Sequence, residues 1–167
     1  GELSCLRDVV IENVTGESMS LLASSVTGVP GLRPQNVTIR NVKLRLMGGG
    51  PASEVTRPVP EAEAKYPENR MFGTMLPAYG FYVRHADDIR FENVRLRYTG
   101  STEERPPLVQ DDTTGVVVDR CDFTAKALQL VNGHRTNFDD GTRDKVFNTL
   151  FGRCELYSIR NAAGRVL

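Results

Sequence analysis

The chain has 167 residues, enough for one domain, and its 40% hydrophobic and 25% charged residues are ordinary for a soluble globular protein. Its 21 basic and 21 acidic residues cancel, which argues against a nucleic-acid surface, where a basic excess is expected, and no apolar run approaches a membrane span. Three cysteines, Cys5, Cys121 and Cys154, cannot build a disulfide framework, and no Cys/His spacing points to a metal or other cofactor.

The predicted elements are mostly strands of one recurring phrase. Asp8-Val-Val-Ile-Glu-Asn-Val14 returns as Asn36-Val-Thr-Ile-Arg-Asn-Val42, as Asp88-Ile-Arg-Phe-Glu-Asn-Val94 and, more loosely, as Gly115-Val-Val-Val-Asp-Arg-Cys121, with starts 28, 52 and 27 residues apart. The middle spacing reads as one repeat plus a loop. A strand-based period in the twenties predicts an all-β solenoid, a right-handed parallel β-helix of about four to six coils. Apolar residues alternate within each phrase, and the alternation slips by one position after the asparagine. Such a slip demands a bend with a left-handed residue, which asparagine tolerates best among non-glycine residues. Asn13, Asn41 and Asn93 are therefore expected to stack as a hydrogen-bonded ladder. Arg120 takes that place in the fourth copy and should end it. Cys121 follows at a position otherwise held by valine and reads as a small buried residue.

In chain order, residues 1–46 form the first coils, with a turn at Gly28-Val-Pro-Gly31. Residues 47–78 interrupt them as a long insertion, opened by Met47-Gly-Gly-Gly-Pro51 and holding one short helical turn near Glu61-Ala-Glu-Ala-Lys65. A loop of this length is a functional segment or a cover for one face. Coils resume to residue 125. Phe81-Tyr-Val-Arg-His85 and Leu108-Val-Gln-Asp-Asp112, 27 apart, should stack Arg84 on Asp111 and His85 on Asp112. Residues 126–167 lose the phrase. Asp139-Asp140-Gly-Thr142, then a run to Phe151 and Gly152, predicts a capped helix, so this tail reads as a cap or an irregular final coil. The chain begins at Gly1, without Met or a signal peptide, as a piece of a longer polypeptide would.

The stretch from Met71-Phe-Gly73 through Leu76-Pro-Ala-Tyr-Gly-Phe-Tyr-Val-Arg-His85 to Asn93-Val94 resembles polygalacturonase-type enzymes, the family 28 glycoside hydrolases of pectin-degrading bacteria. Ser24-Ser-Val-Thr-Gly-Val-Pro-Gly31, Gly48-Gly-Gly50, Tyr66-Pro-Glu68 and Arg105-Pro-Pro-Leu-Val-Gln-Asp-Asp112 fit the same family, so that the resemblance covers about residues 1–125. It implies a parallel β-helix, an inverting hydrolase of galacturonan or rhamnogalacturonan, a pectin-type acidic polysaccharide as partner, and a secreted or periplasmic setting. Inverting chemistry needs an acid and a base about 6.5–9.5 Å apart, with water between. The family's Asn-Thr-Asp, Gly-His-Gly and Arg-Ile-Lys motifs are missing. The expectation is thus the C-terminal portion of such an enzyme, without catalysis of its own. The alternative is a non-catalytic module that binds acidic polysaccharide or a protein.

Asp111 and Asp112 are the candidate catalytic pair. They lack the flanking Gly and Cys of the family motif and read equally as a turn or as a salt bridge to Arg84. His85 is either a substrate contact or a partner of Asp112. Tyr66, Phe72 and Tyr79 are candidates for a sugar platform or for pinning the insertion. Arg57, Lys65, Arg70 and Arg84 are candidate partners of galacturonate carboxylates. An open coil end also predicts self-association.

Overall fold

A computed structural model describes residues 4–68, 70–100, 102–123 and 158–159. Strands dominate it: β1 (Arg7–Glu17), β2 (Ser24–Thr27), β3 (Gln35–Leu46), β4 (Phe81–Tyr98), β5 (Leu108–Thr114), β6 (Val117–Asp119), β7 (Asp122–Phe123) and β8 (Ser158–Ile159). The only helical pieces among the described residues are two 3-10 turns in the insertion, Ala52–Thr56 and Glu63–Lys65. The predicted helix after Thr142, and all of the expected cap except β8, lie outside the described residues.

The multi-coil β-helix is not what forms. All eight strands belong to one parallel sheet of order β1-β3-β4-β5-β8, with β2, β6 and β7 each paired to β4 off that path. The sheet is curled into a half-barrel rather than wound into a solenoid. The reason lies in the long strands. Pairing lapses at the bend residues and resumes in register directly after each, so β4 runs for 18 residues through three left-handed positions, His85 (φ 46°), Asp88 (φ 55°) and Asn93 (φ 50°). Each such residue turns the strand without ending it. Asp8, Asn36, Asn13 and Asn41 adopt the same conformation in β1 and β3, with φ between 53° and 57°. Strands that bend at matching places curl the sheet as a whole.

Register follows the repeat. Ile11 lies beside Ile39 and Val14 beside Val42; Ile39 in turn lies beside Phe91 and Val42 beside Val94. These positions share one face of the sheet, where Val37, Ile39, Val42, Ile89, Phe91, Val94, Leu96 and Phe123 form the main core. Alternation sends Tyr82 and Val109 to the other face, where they meet Phe72, Leu76 and Ala78 of the chain leading into β4. The insertion is therefore packed against this second face, and it contributes to the charged cluster described next.

Candidate functional site

The charged cluster sits where the insertion meets the first bend of β4. Phe81 and Val83 point into the core, so Tyr82 and Arg84 point beneath the insertion. The pairing of Arg84 with Asp111 in the adjacent strand agrees with their 27-residue spacing. His85 and Asp112 both take left-handed conformations, φ 46° and 54°, and form the next step of the same bend. The third strand at this level contributes Gly28, whose N–H donates to the Arg84 carbonyl at 3.0 Å. A Cβ there would lie 2.4 Å from the Leu32 carbonyl and 2.8 Å from that of His85, which restricts the position to glycine.

The His85 ring lies between two carboxylates, with Nδ1 2.6 Å from Asp112 Oδ2 and Nε2 3.0 Å from Glu61 Oε2. Arg84 Nη2 donates to the other oxygen of Glu61, and its Nη1 donates to the carbonyls of Val59 and Pro60 at 3.0 and 3.1 Å. Asp111 accepts from the Tyr82 hydroxyl at 2.8 Å and lies 3.7 Å from Arg84 Nε. Arg33 completes the group. Its Nη1 donates to Asp112 at 2.6 Å, and its Nε and Nη2 grip both oxygens of Asp87 at 2.9 and 2.8 Å. This fork, helped by the Thr114 hydroxyl, holds the Asp87 carboxyl below the usual range against the opposing effect of burial.

The arrangement fastens chain segments. Asp111 and Asp112 do not converge on a common point: one carboxylate serves Tyr82 and Arg84, the other His85 and Arg33. Glu61 ties the insertion to β4 through both Arg84 and His85. The contact of His85 with Asp112 expected from register is present.

The other candidates are dispersed. Tyr66 and Phe72 meet edge to face at 6.2 Å, and Phe72 meets Tyr82 in the same manner, which pins the insertion to the sheet. The Tyr66 hydroxyl donates to the Gly28 carbonyl at 2.8 Å. Tyr79 is buried in the main core against Tyr98 and joins no platform. Arg57 is engaged by Glu54 and by the Met75 carbonyl. Arg70 is exposed beside Met19, Met47 and Thr74, away from the cluster, and Lys65 is exposed at the end of a 3-10 turn. Asn13, Asn41 and Asn93 do form a file: Asn93 Nδ2 donates to Asn41 Oδ1 at 2.9 Å, and Asn41 Nδ2 to Asn13 Oδ1 at 3.3 Å. No group of three metal-ligating side chains occurs among the described residues.

Compared with known proteins, the chain matches no family model, no curated protein and no solved structure.

One charged feature escaped the sequence reading. Beyond the asparagine bend, Lys43 lies beside Arg95 and Arg45 beside Arg97 on the exposed side of β3 and β4. The signal was present in Asn41-Val-Lys-Leu-Arg45 and Asn93-Val-Arg-Leu-Arg97, where two cations recur at the same outward positions.

Proposed function

We propose that the chain serves a pectin-directed glycoside hydrolase as a non-catalytic element. The observation that carries this reading is the self-saturation of the acid cluster: Glu61, Asp87, Asp111 and Asp112 all hold internal cationic partners. An inverting hydrolase needs an acid and a base that meet substrate instead. The link to pectin rests on the resemblance of residues 71–94 and the shorter matching stretches, and a secreted or periplasmic setting follows from the same resemblance. A reducing-sugar assay with polygalacturonate tests it. No turnover is expected, and turnover abolished by Asp111→Asn or Asp112→Asn would replace this reading with a hydrolase.

A second reading, self-association, has its own observation. Ile11 and Val14 are 44% and 38% exposed on β1, whereas their β3 counterparts Ile39 and Val42 are each 3% exposed. Among the described residues β1 is paired along one side only, and such an edge invites another strand. Light scattering should then show dimers that Ile11→Lys disperses, and a monomer at all concentrations would refute it.

A further inference from the structure

We infer that the exposed face of β3 and β4 beyond the asparagine bend is a binding lane for a carboxylated polysaccharide, an inference that rests on the pectin-directed reading above. Four cations form the lane. Lys43 and Arg45 alternate with Leu44 and Leu46 along β3, and Arg95 and Arg97 alternate with Leu96 and Tyr98 along β4. Neighbouring strands lie about 4.8 Å apart and alternate residues about 6.6 Å apart. Cations are therefore direct neighbours in two successive rows, Lys43 with Arg95 and Arg45 with Arg97. Like charges opposite each other weaken a sheet. The inward leucines supply the packing here, and the core requires nothing cationic at these positions.

Lys43, Arg45 and Arg95 are only lightly held. Lys43 has no ion-pair partner among the described residues. Arg45 meets Glu17 at 2.8 Å with both side chains more than 60% exposed. Arg95 and Arg97 share the single carboxylate of Asp122, at 3.7 and 2.5 Å. Exposed pairs of this kind contribute little and exchange readily for another carboxylate. Arg45 and Arg95 can each take a carboxylate through two parallel N–H donors, whereas Arg97 is tied by the Leu96 and Asp122 carbonyls and the Asp122 carboxylate and contributes its charge alone.

The borders of the lane select the ligand. Glu17 flanks it on β1 and Asp122 on β7, so the cationic strip is two strands wide between acidic edges. A broad, densely charged nucleic-acid duplex would press on those acids. Single-stranded nucleic acid needs aromatic faces for its bases, and the exposed large hydrophobic residues among those described are Leu6, Val10, Ile11, Val14, Met19 and Met47, none of them aromatic. A narrow polymer with a carboxylate on each sugar meets the cations and avoids the acids.

The test is calorimetric titration of the whole chain with a galacturonate oligomer at low salt, with its neutral methyl ester as control. Saturable binding of the acid form alone is expected, weakening as salt is added. Lys43→Gln with Arg95→Gln should weaken it by about tenfold per charge removed. Lys43→Arg should retain it, as should Arg120→Gln, which removes an exposed cation outside the lane. Circular dichroism of each variant checks that the sheet is intact. Undiminished binding by a folded Gln variant overturns the lane but leaves the pectin-directed reading standing. Equal binding of the methyl ester, tighter binding of single-stranded DNA, or no binding at all also overturns the lane. The reading beneath it fails separately, on turnover in the reducing-sugar assay.

Discussion

Arg105 and Glu103, two positions apart between β4 and β5, form an ion pair sealed from water: their side chains are 1% and 0% exposed, and Nη2 meets Oε2 at 2.8 Å. Every other donor there is also engaged. Arg105 Nη1 donates to the carbonyls of Leu21, Leu76 and Ala78, so the guanidinium joins two distant stretches of chain to its own. Glu103 accepts in addition from the N–H of Gly50 and of Arg105. The pair thus anchors both the insertion and the turn before β2.

Removing one partner strands the other charge in the interior. Arg105→Met is expected to cost about 3–5 kcal/mol, measured as a shift in urea midpoint. The double variant Glu103→Gln, Arg105→Met should recover part of that loss. Gly50→Ala should fall in the same severe class, because its Cβ would lie 1.9 Å from Arg105 Nε. A mild effect of Arg105→Met would show that the insertion is anchored elsewhere.

Asn41 is the middle member of the asparagine file and sits at φ 53°. Asn41→Ala should destabilise the chain by about 1–2 kcal/mol, because alanine keeps the Cβ but lacks the polar side chain that lets asparagine tolerate the left-handed conformation. Asn41→Gly should cost less, since glycine bears no such strain and the lost amide bonds are solvent-exposed. Thermal melts of the two variants give the order, and equal losses would assign the effect to the hydrogen bonds alone.

Acid sensitivity should be traceable to Asp87. Arg33 lowers its pKa from the ordinary 3.8, so the folded state binds that proton less readily than the unfolded state. The stabilisation is fully present above pH 3.8 and is lost as pH falls through the lower folded value. Asp87→Asn should therefore be less stable than the parent near neutrality and lose less stability on acidification. Urea midpoints at several pH values down to the most acidic point at which the chain stays folded check this.

Cys121 is buried behind β4, and that burial pushes its thiol up from 9.0 to about 12. It should resist alkylation at pH 8 while Cys5, only partly buried, reacts. Peptide mapping distinguishes the two, and unfolding should equalise them. The sign of the stability effect is opposite to that of Asp87. Stability is present below pH 9 and declines as pH climbs toward 12, because only the unfolded thiol ionises readily in that interval.

Local periodicity made the strands legible. Alternation in Asp88-Ile-Arg-Phe-Glu-Asn-Val94 located the inward residues, the slip after asparagine located the bend, and the equal spacing of Phe81 and Leu108 gave the register of β4 with β5. Spacing alone said nothing of whether bent strands stack as closed coils or stay joined in one curled sheet. Both give the same inward pattern, and the choice depends on backbone pairing that resumes in register directly after each bend.

The same divide separates the residues of the candidate site. Arg84 beside Asp111 and His85 beside Asp112 follow from register, which sequence encodes because each buried face fixes the parity of its strand. Glu61 on His85, Arg33 between Asp87 and Asp112, and the burial of Tyr79 do not follow, because they arise where an insertion without periodicity folds back onto a sheet. Repetition thus specified the strands and their bends. The pairing of charges across distant segments was settled only by the closed three-dimensional arrangement, in which a buried cation has to find an acid wherever along the chain one is available.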